Sequence, residues 1–447
     1  MNRRRQKEQH TDGHYYAGEH YANPDDYLLI ALQTSSIPAR EAAISLEELK
    51  ELTRSADANT RGQLTLRVRQ IDPKTYIGRG QVQEIRALAQ QLGVAGIIFD
   101  EDFSPVQQRN LEDILELRVI GRTELILDIF ARRAQTHEGK LQVELAQLQY
   151  LRPRLIGQGF VLSRLGGGIG TRGPGESRLE MDRRRIAARI NHLQRELTHV
   201  RRARETQRKR RLRQEVLTVA LVGYTNSGKS TLLRALTNAD VHVEDRLFAT
   251  LDPAAKRALL PDGRVAIFTD TVGFIHRLPT GLVEAFKATL EEVLYADLLL
   301  HVIDASSPTL EREIRTTDAV LGTLGADEKP RLRIFNKIDQ NVDHSVFEAF
   351  GYREESSNSV AISALYGIGI HDLLSTIVHF TSEAEETLRI LLPYTRGDLL
   401  SRIHNAAAVK SLEYDEDGVR VTALVDSKLA GELRPFIQPA PAPKSRR

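Results

Sequence analysis

The sequence predicts an α/β protein of several domains, and three observations carry that reading. Short apolar, β-branched runs alternate with segments of helical periodicity between about residues 26 and 135, the pattern of helices layered on a largely parallel sheet. A second series of strands and helices begins near residue 216 and opens with Gly223-Tyr-Thr-Asn-Ser-Gly-Lys-Ser230, which fits G-x-x-x-x-G-K-[ST]. Between the two lie two long helical stretches joined by a glycine-rich segment. The expected organisation is a disordered leader (1–25), an N-terminal α/β domain (26–135), and an antiparallel helical hairpin with a Gly-rich loop (136–215). A P-loop nucleotide domain (216–382), a small α+β C-terminal domain (388–437) and a disordered tail (438–447) complete it. A chain of 447 residues has the length of about three domains.

Composition narrows the class. Hydrophobic residues make up 41%, enough for ordinary cores, and the net charge of +2 hides strong local asymmetry. With no cysteine, neither a disulfide framework nor a thiolate metal site is available. No apolar run nears the roughly 20 residues of a membrane span. The basic start, Met1-Asn-Arg-Arg-Arg, leads into no apolar stretch and does not read as a signal peptide. A cytoplasmic protein is expected, and nothing in the sequence demands more than a monomer.

In the first region Tyr27–Leu32 reads as a strand. Ser45-Leu-Glu-Glu48 has the form of a capping box opening a helix through Leu52. Leu64–Val68 alternates as a strand, Gln81–Leu92 is helical, and Ala95–Phe99 is a second apolar strand. Ser104-Pro105 supplies a cap and an N1 proline for a helix through Leu115. Val119-Ile120 is a short strand before a helix over Thr123–Ala134. Gly78-Arg-Gly80 reads as a turn before a helix, with a phosphate loop as the weaker alternative.

Leu141, Leu145, Leu148 and Leu155 keep heptad-like spacing, with Pro153 expected to bend or end that helix. Leu179, Ile186, Ile190, Leu193, Leu197 and Val200 form a second apolar stripe. The joining segment, Gly166 to Glu176, holds six glycines and cannot build a core. From Asp182 to Arg213, thirteen Lys and Arg face three acidic residues. A solvated face is the plain reading of such a run. Beside a glycine-rich tip it points to phosphate backbone, and without interleaved aromatics to structured RNA read by shape and charge.

The nucleotide domain carries the chemistry. Val216–Val222 is a buried-strand run and Thr231–Thr237 has helical spacing, so the intervening loop aims backbone N–H groups and a helix dipole at one point, as phosphate requires. The loop residues Gly223, Tyr224, Thr225, Asn226, Ser227, Gly228, Lys229, Ser230 and Thr231 are candidates for nucleotide binding. Lys229 is expected on the β- and γ-phosphates and Ser230 on Mg²⁺. Thr250 is the candidate switch threonine for Mg²⁺ and the γ-phosphate. Asp270-Thr271-Val272-Gly273 follows a strand over Val265–Thr269, with Asp270 toward Mg²⁺ and the Gly273 amide toward the γ-phosphate. Leu298–Ile303 and Ile334-Phe335 are further strands, the latter leading to Asn336-Lys337-Ile-Asp339. A carboxylate at Asp339 accepts from guanine N1–H and N2–H, donors that adenine lacks. Buried and unpaired, it would penalise ATP by on the order of a few kcal/mol. Val360–Ile362 leads to Ser363-Ala364-Leu365, a turn suited to guanine O6. Five motifs in order specify a P-loop GTPase domain binding GTP and GDP, with Lys229, Thr250 and Gly273 the candidate catalytic groups and Ser230, Thr250 and Asp270 the candidate metal ligands.

Three residues refine this. Position 274, where many GTPases carry a water-orienting glutamine, is Phe274, so intrinsic hydrolysis is expected to be slow unless a partner or a backbone group completes the site. Asn226 is a candidate oxygen ligand for a monovalent cation such as K⁺, against the plainer reading as an ordinary loop asparagine. Arg246 is either a cis-acting finger or a solvated loop arginine.

Arg-Gly-Pro-Gly-Glu-Ser-Arg-Leu-Glu-Met-Asp-Arg-Arg (172–184), Tyr-Ile-Gly-Arg-Gly (76–80), Phe-Ala-Thr-Leu-Asp-Pro (248–253), Asp-Thr-Val-Gly-Phe (270–274) and Leu-Val-Glu-Ala-Phe-Lys-Ala-Thr-Leu-Glu-Glu (282–292) resemble the HflX family of ribosome-associated GTPases. The resemblance covers roughly residues 26 to 382. Glu-Ser-Arg-Leu-Glu (176–180) departs from the family's common Glu-Thr-Gln-Leu-Glu and adds charge. The resemblance implies binding to the large ribosomal subunit through the N-terminal domain and hairpin. It also implies that the hairpin loop reaches the peptidyl-transferase centre, and that the GTP form helps dissociate stalled or idle ribosomes under stress. Alternatives are an RNA-remodelling NTPase and a regulatory GTPase that recruits a membrane protein through peripheral association. Beyond it, Leu391–Tyr394, a helix over Gly397–Val409 and a hairpin from Ser411 to Val425 around Asp417-Gly418 form the small C-terminal unit.

Overall fold

The structure, a computed structural model, describes residues 25–154, 183–200, 202, 216–237, 246–252, 254–277, 287–340, 358–382, 385–415 and 417–437. The leader, the Gly166–Glu176 loop, the Arg208–Arg211 run and the tail lie outside the described residues. The chain forms two compact units that divide between Arg122 and Thr123.

The first unit is built on a parallel sheet of order β2-β1-β3-β4. Its strands are β1 (Asp26–Gln33), β2 (Asn59–Arg67), β3 (Gly96–Phe99) and β4 (Arg118–Ile120), joined by α1 (Ala39–Ser55), α2 (Arg79–Leu92) and α3 (Pro105–Leu115). Central β1 and β3 are apolar on both faces, with Leu28, Leu29, Ile30 and Ile97 fully buried, whereas edge strand β2 alternates. The Ser104 signal holds: its hydroxyl accepts from Gln107 N–H at 3.3 Å, Gln107 accepts from Ser104 N–H at 3.0 Å, and Pro105 is the first helical residue. Gly78 is the N-cap of α2, and Arg79 and Gly80 are its first two residues, so the helix begins two residues before the expected start at Gln81.

The capping box at Ser45 is not formed. Helix α1 starts six residues earlier, at Ala39 behind Pro38, and Ser45 lies buried in its interior. A tertiary partner competes for the hydroxyl, which donates to Asp100 Oδ2 at 2.6 Å. Glu48, assigned to the same box, instead accepts from Arg122 Nη2 at 2.5 Å, while Arg122 Nη1 donates to Asp100 Oδ1 at 2.6 Å. Arg122 is 2% exposed, so it joins two carboxylates in a low-dielectric setting. Removing one member of such a cluster leaves uncompensated buried charge. Arg122→Ala should therefore lower the unfolding free energy of the full chain by roughly 3–5 kcal/mol in denaturant titration; a loss under about 1 kcal/mol would mean that water reaches the cluster.

The second unit begins with α4 (Arg122–Arg133), α5 (His137–Arg154, with Pro153 in its last turn) and a helix over residues 183–200, α6. Leu141 and Leu145 pack with Ile190, Leu193 and Leu197, as the two apolar stripes require. Arg189 grips Glu144 with two bonds of 2.6 and 2.7 Å and holds that carboxyl below its usual range. Next comes a six-stranded sheet of order β10-β9-β8-β5-β7-β6. Its members are β5 (Leu217–Val222), β6 (Ala254–Leu259), β7 (Val265–Asp270), β8 (Leu298–Asp304), β9 (Arg331–Asn336) and β10 (Ser359–Ala361). All pairs are parallel except β6 with β7. The chain then adds an antiparallel sheet of order β11-β13-β12, from β11 (Glu385–Leu392), β12 (Ala408–Asp415) and β13 (Gly418–Asp426). The expected helix to Val409 ends at Ala406, because Ala408 and Val409 already pair with β13.

Candidate functional site

The site forms where β5 stops and α7 (Lys229–Thr237) starts. Gly223 has φ 152° and lies so close to the Val302 carbonyl that a Cβ would collide with it. Gly228, at φ 96°, leaves no room for a Cβ beside the Asn336 amide. Both glycines are demanded by backbone approach rather than by flexibility. Asn226 at the loop's outer turn also has positive φ, 60°, and is exposed. Buried Lys229 donates to the carbonyls of Gly223 and Tyr224 at 3.2 and 2.7 Å. Burial pushes its pKa down to about 8, partly countered by the Asp270 charge.

Asp270 is fully buried at the end of β7. Its Oδ2 accepts from the Ser230 hydroxyl at 2.6 Å, and the Ser230 and Thr250 hydroxyls are 2.8 Å apart. Asp270 Oδ1 has no protein partner, nor do the buried hydroxyls of Thr225 and Ser227. Burial raises the Asp270 pKa, against the opposing pull of Lys229. Orphaned buried oxygens gathered beside an ammonium are costly unless something else satisfies them. The Ser230, Thr250 and Asp270 oxygens lie together and fit a hard cation such as Mg²⁺. Thr225, Asn226, Gly228, Lys229, Ser230, Thr231, Thr250, Thr271 and Gly273 line a common cleft, joined by Arg246, Phe248 and Ala249. Sequence reading missed Phe248 and Ala249, whose apolar side chains carry no chemical signature.

Other contacts hold the cleft in shape. Tyr224 accepts His276 N–H on its hydroxyl at 2.9 Å. The Thr271 hydroxyl is spent on the Leu221 carbonyl at 2.7 Å, and Val272 is buried. Phe274 is 1% exposed and packs with Leu290, Val293 and Leu299. Its carbonyl accepts from Thr225 N–H at 2.7 Å and its N–H donates to Gly223 O at 3.1 Å. Neither side chain nor backbone of residue 274 is therefore available to orient a water in this state. Gly273 is obligatory: an added Cβ would meet Thr225 Cα at 2.9 Å and Lys229 Nζ at 3.1 Å. His301, buried in β8 with its pKa pushed down to about 3 by desolvation and by Arg331 and Arg333, stays neutral.

The base-reading motifs meet the loop through Asn336. Its Nδ2 donates to Ser227 O at 2.9 Å and its Oδ1 accepts Ala364 N–H at 3.0 Å, so one amide ties three segments together. Lys337, in a left-handed conformation at φ 65°, pairs with Asp304 at 2.6 Å. Asp339 is exposed and accepts from Ser363 Oγ at 2.6 Å. Its discrimination arises only once a base covers it. Leu365 is 63% exposed and turned to solvent. Asp339→Asn exchanges an acceptor for a donor. It should weaken guanine nucleotide binding at least tenfold while xanthine nucleotides, with C2=O in place of the 2-amino group, gain relative to wild type; titration calorimetry with both bases checks this.

Comparison with known proteins gives consistent relationships. Residues 43–131 match a family described as GTP-binding GTPase N-terminal, 133–211 one described as GTP-binding GTPase Middle Region, and 218–337 one described as 50S ribosome-binding GTPase. GTPase HflX of Caldanaerobacter subterraneus subsp. tengcongensis is 46% identical over 407 residues, 91% of this chain and 93% of that protein. GTPase HflX of Escherichia coli is 45% identical over 377 residues, 83% of this chain and 87% of that protein. A crystal structure of a GTP-binding protein from Sulfolobus solfataricus in complex with GDP is 24% identical, covering 80% of this chain and 99% of that one, with a TM-score of 0.43.

Proposed function

The chain belongs to the GTPase HflX family, and from that premise we propose that it uses GTP to engage the large ribosomal subunit and to help dissociate stalled or idle ribosomes. GTP binding and hydrolysis are the activity of the family. The observation that supports the ribosomal reading most is the match of 218–337 to a 50S ribosome-binding GTPase family. The basic α6 adds to it: Arg183, Arg184, Arg185 and Arg195 are exposed while Ile190, Leu193 and Leu197 are buried. A helix with one face packed and the other cationic suits a phosphate backbone.

On this reading the loop amides cradle the phosphates, and Lys229 leaves the Gly223 and Tyr224 carbonyls for the β- and γ-phosphates. Bound phosphate would restore the Lys229 charge that burial disfavours. Ser230, Thr250 and Asp270 are the residues to hold Mg²⁺, which neutralises charge on the phosphates. The Gly273 amide faces the γ-phosphate and Asp339 reads the base. Asn226, whose exposed side chain stands at the cleft, would supply an oxygen to a K⁺ beside the phosphates. No described helix is long and apolar enough to cross a membrane.

GTP turnover by the full chain, alone and with isolated ribosomal subunits, in K⁺ and in Na⁺, tests this. Turnover should be slow alone, rise more than tenfold with the large subunit only, and be faster in K⁺. No response to either subunit would remove the ribosomal reading and leave a GTPase with another client. Replacing Arg208, Lys209, Arg210 and Arg211 by Gln should weaken subunit binding and flatten its salt dependence without changing GTP affinity. An unchanged salt slope would mean these charges face solvent.

A further inference from the structure

Phe-Ala-Thr-Leu-Asp-Pro (248–253) contributes Thr250 to the site, but the residues two positions to either side of Thr250 have work of their own. The Phe248 ring meets the Phe130 ring of α4 edge-on, centroids 4.7 Å apart and planes at 80°. Phe248 is 2% exposed and has φ 56°, a left-handed conformation that a bulky residue keeps only where its surroundings enforce it. On the other side, Asp252 Oδ2 accepts the backbone N–H groups of Gln135 and Thr136 at 2.9 and 2.8 Å, and its Oδ1 accepts the Thr136 hydroxyl. That hydroxyl oxygen in turn accepts Gly139 N–H at 3.0 Å, inside the first turn of α5. A Cβ on Gly139 would strike the Asp252 carboxylate.

The chain from 248 to 252 is thus fastened at both ends to the α4–α5 corner, with Thr250 between the fastenings and its hydroxyl 2.8 Å from that of Ser230. The N–H groups that precede a helix have no partner within it, and a carboxylate is the strongest acceptor for them. We propose that Asp252 is a positioning residue for GTP turnover, coupling the placement of Thr250 to the capping of α5. The inference rests on the GTP reading above. Because such coupling is reciprocal, whatever disturbs the start of α5 alters how firmly Thr250 meets the γ-phosphate side, and loss of the γ-phosphate loosens the cap. Helix α5 packs on α6 through Leu141 and Leu145, so load on that helix pair has a covalent and hydrogen-bonded route to the switch threonine.

The test uses the full chain and the variants Asp252→Asn, Thr136→Val and Thr250→Ala. Affinities for GDP and for a non-hydrolysable GTP analogue are measured with Mg²⁺, together with hydrogen exchange of the amides of residues 135–139. Asp252→Asn should weaken analogue binding and turnover about fivefold or more with GDP affinity unchanged, and Thr136→Val should do so to a smaller degree. In the wild type the 135–139 amides should exchange more slowly with the analogue than with GDP, and Asp252→Asn and Thr250→Ala should each abolish that difference. Equal exchange with both nucleotides, or parallel losses of GDP and analogue affinity in both Asp252→Asn and Thr136→Val, would overturn the proposal. A wild-type chain that binds neither guanine nucleotide would overturn the GTP reading itself.

Discussion

Asp270 sets the terms for the nucleotide domain. A carboxyl with no exposure, one oxygen held by Ser230 and the other without a protein partner, is expensive to bury. Lys229 nearby offsets part of that cost, but its own ammonium is also buried and satisfied only by two loop carbonyls. Neither group is in the environment that its charge prefers. A cation against the carboxylate and an anion against the ammonium would relieve both together, so these two buried groups point to a metal–phosphate pair.

The surrounding backbone leaves this pair little freedom. Residue 274 forms a two-bond parallel bridge with the loop, so the segment after Asp270 is pinned to the segment before Lys229. Asn336 pins the far side of the loop to the base-reading strand ends. With Phe274 buried and its backbone committed, the domain supplies nothing at that position to activate water. Arg246, at the rim of the cleft, is the described cationic side chain outside the phosphate loop that stands in it.

Much of this was legible in the sequence because the signals were local. Ser104-Pro105 and Gln107 set the start of α3 whatever lies around them, and the apolar runs of β1, β3, β5 and β8 allow no amphipathic alternative. The loop from Gly223 to Ser230 could be read for the same reason: its glycines and lysine answer to the geometry of one turn. Ser45-Leu-Glu-Glu48 shows the limit. Its residues satisfy a local pattern, yet Asp100 and Arg122, more than 50 residues away, claim Ser45 and Glu48 for a buried cluster. Antiparallel β6 was equally invisible, since Ala254–Leu259 is half exposed and takes its strand conformation from β7.

What the sequence determined by itself is the class of nucleotide and the candidate groups for it, because phosphate, metal and guanine each require particular atoms at fixed spacings along a strand–loop–helix. Tertiary structure decided how those groups are coupled. That Asp339 is exposed and paired with Ser363, that Phe274 is locked to the loop, and that Asp252 holds the two residues before α5 are relations between segments 24, 50 and 116 residues apart. Burial and hydrogen-bond partners at such separations depend on which surfaces the fold brings together, and no local pattern encodes them.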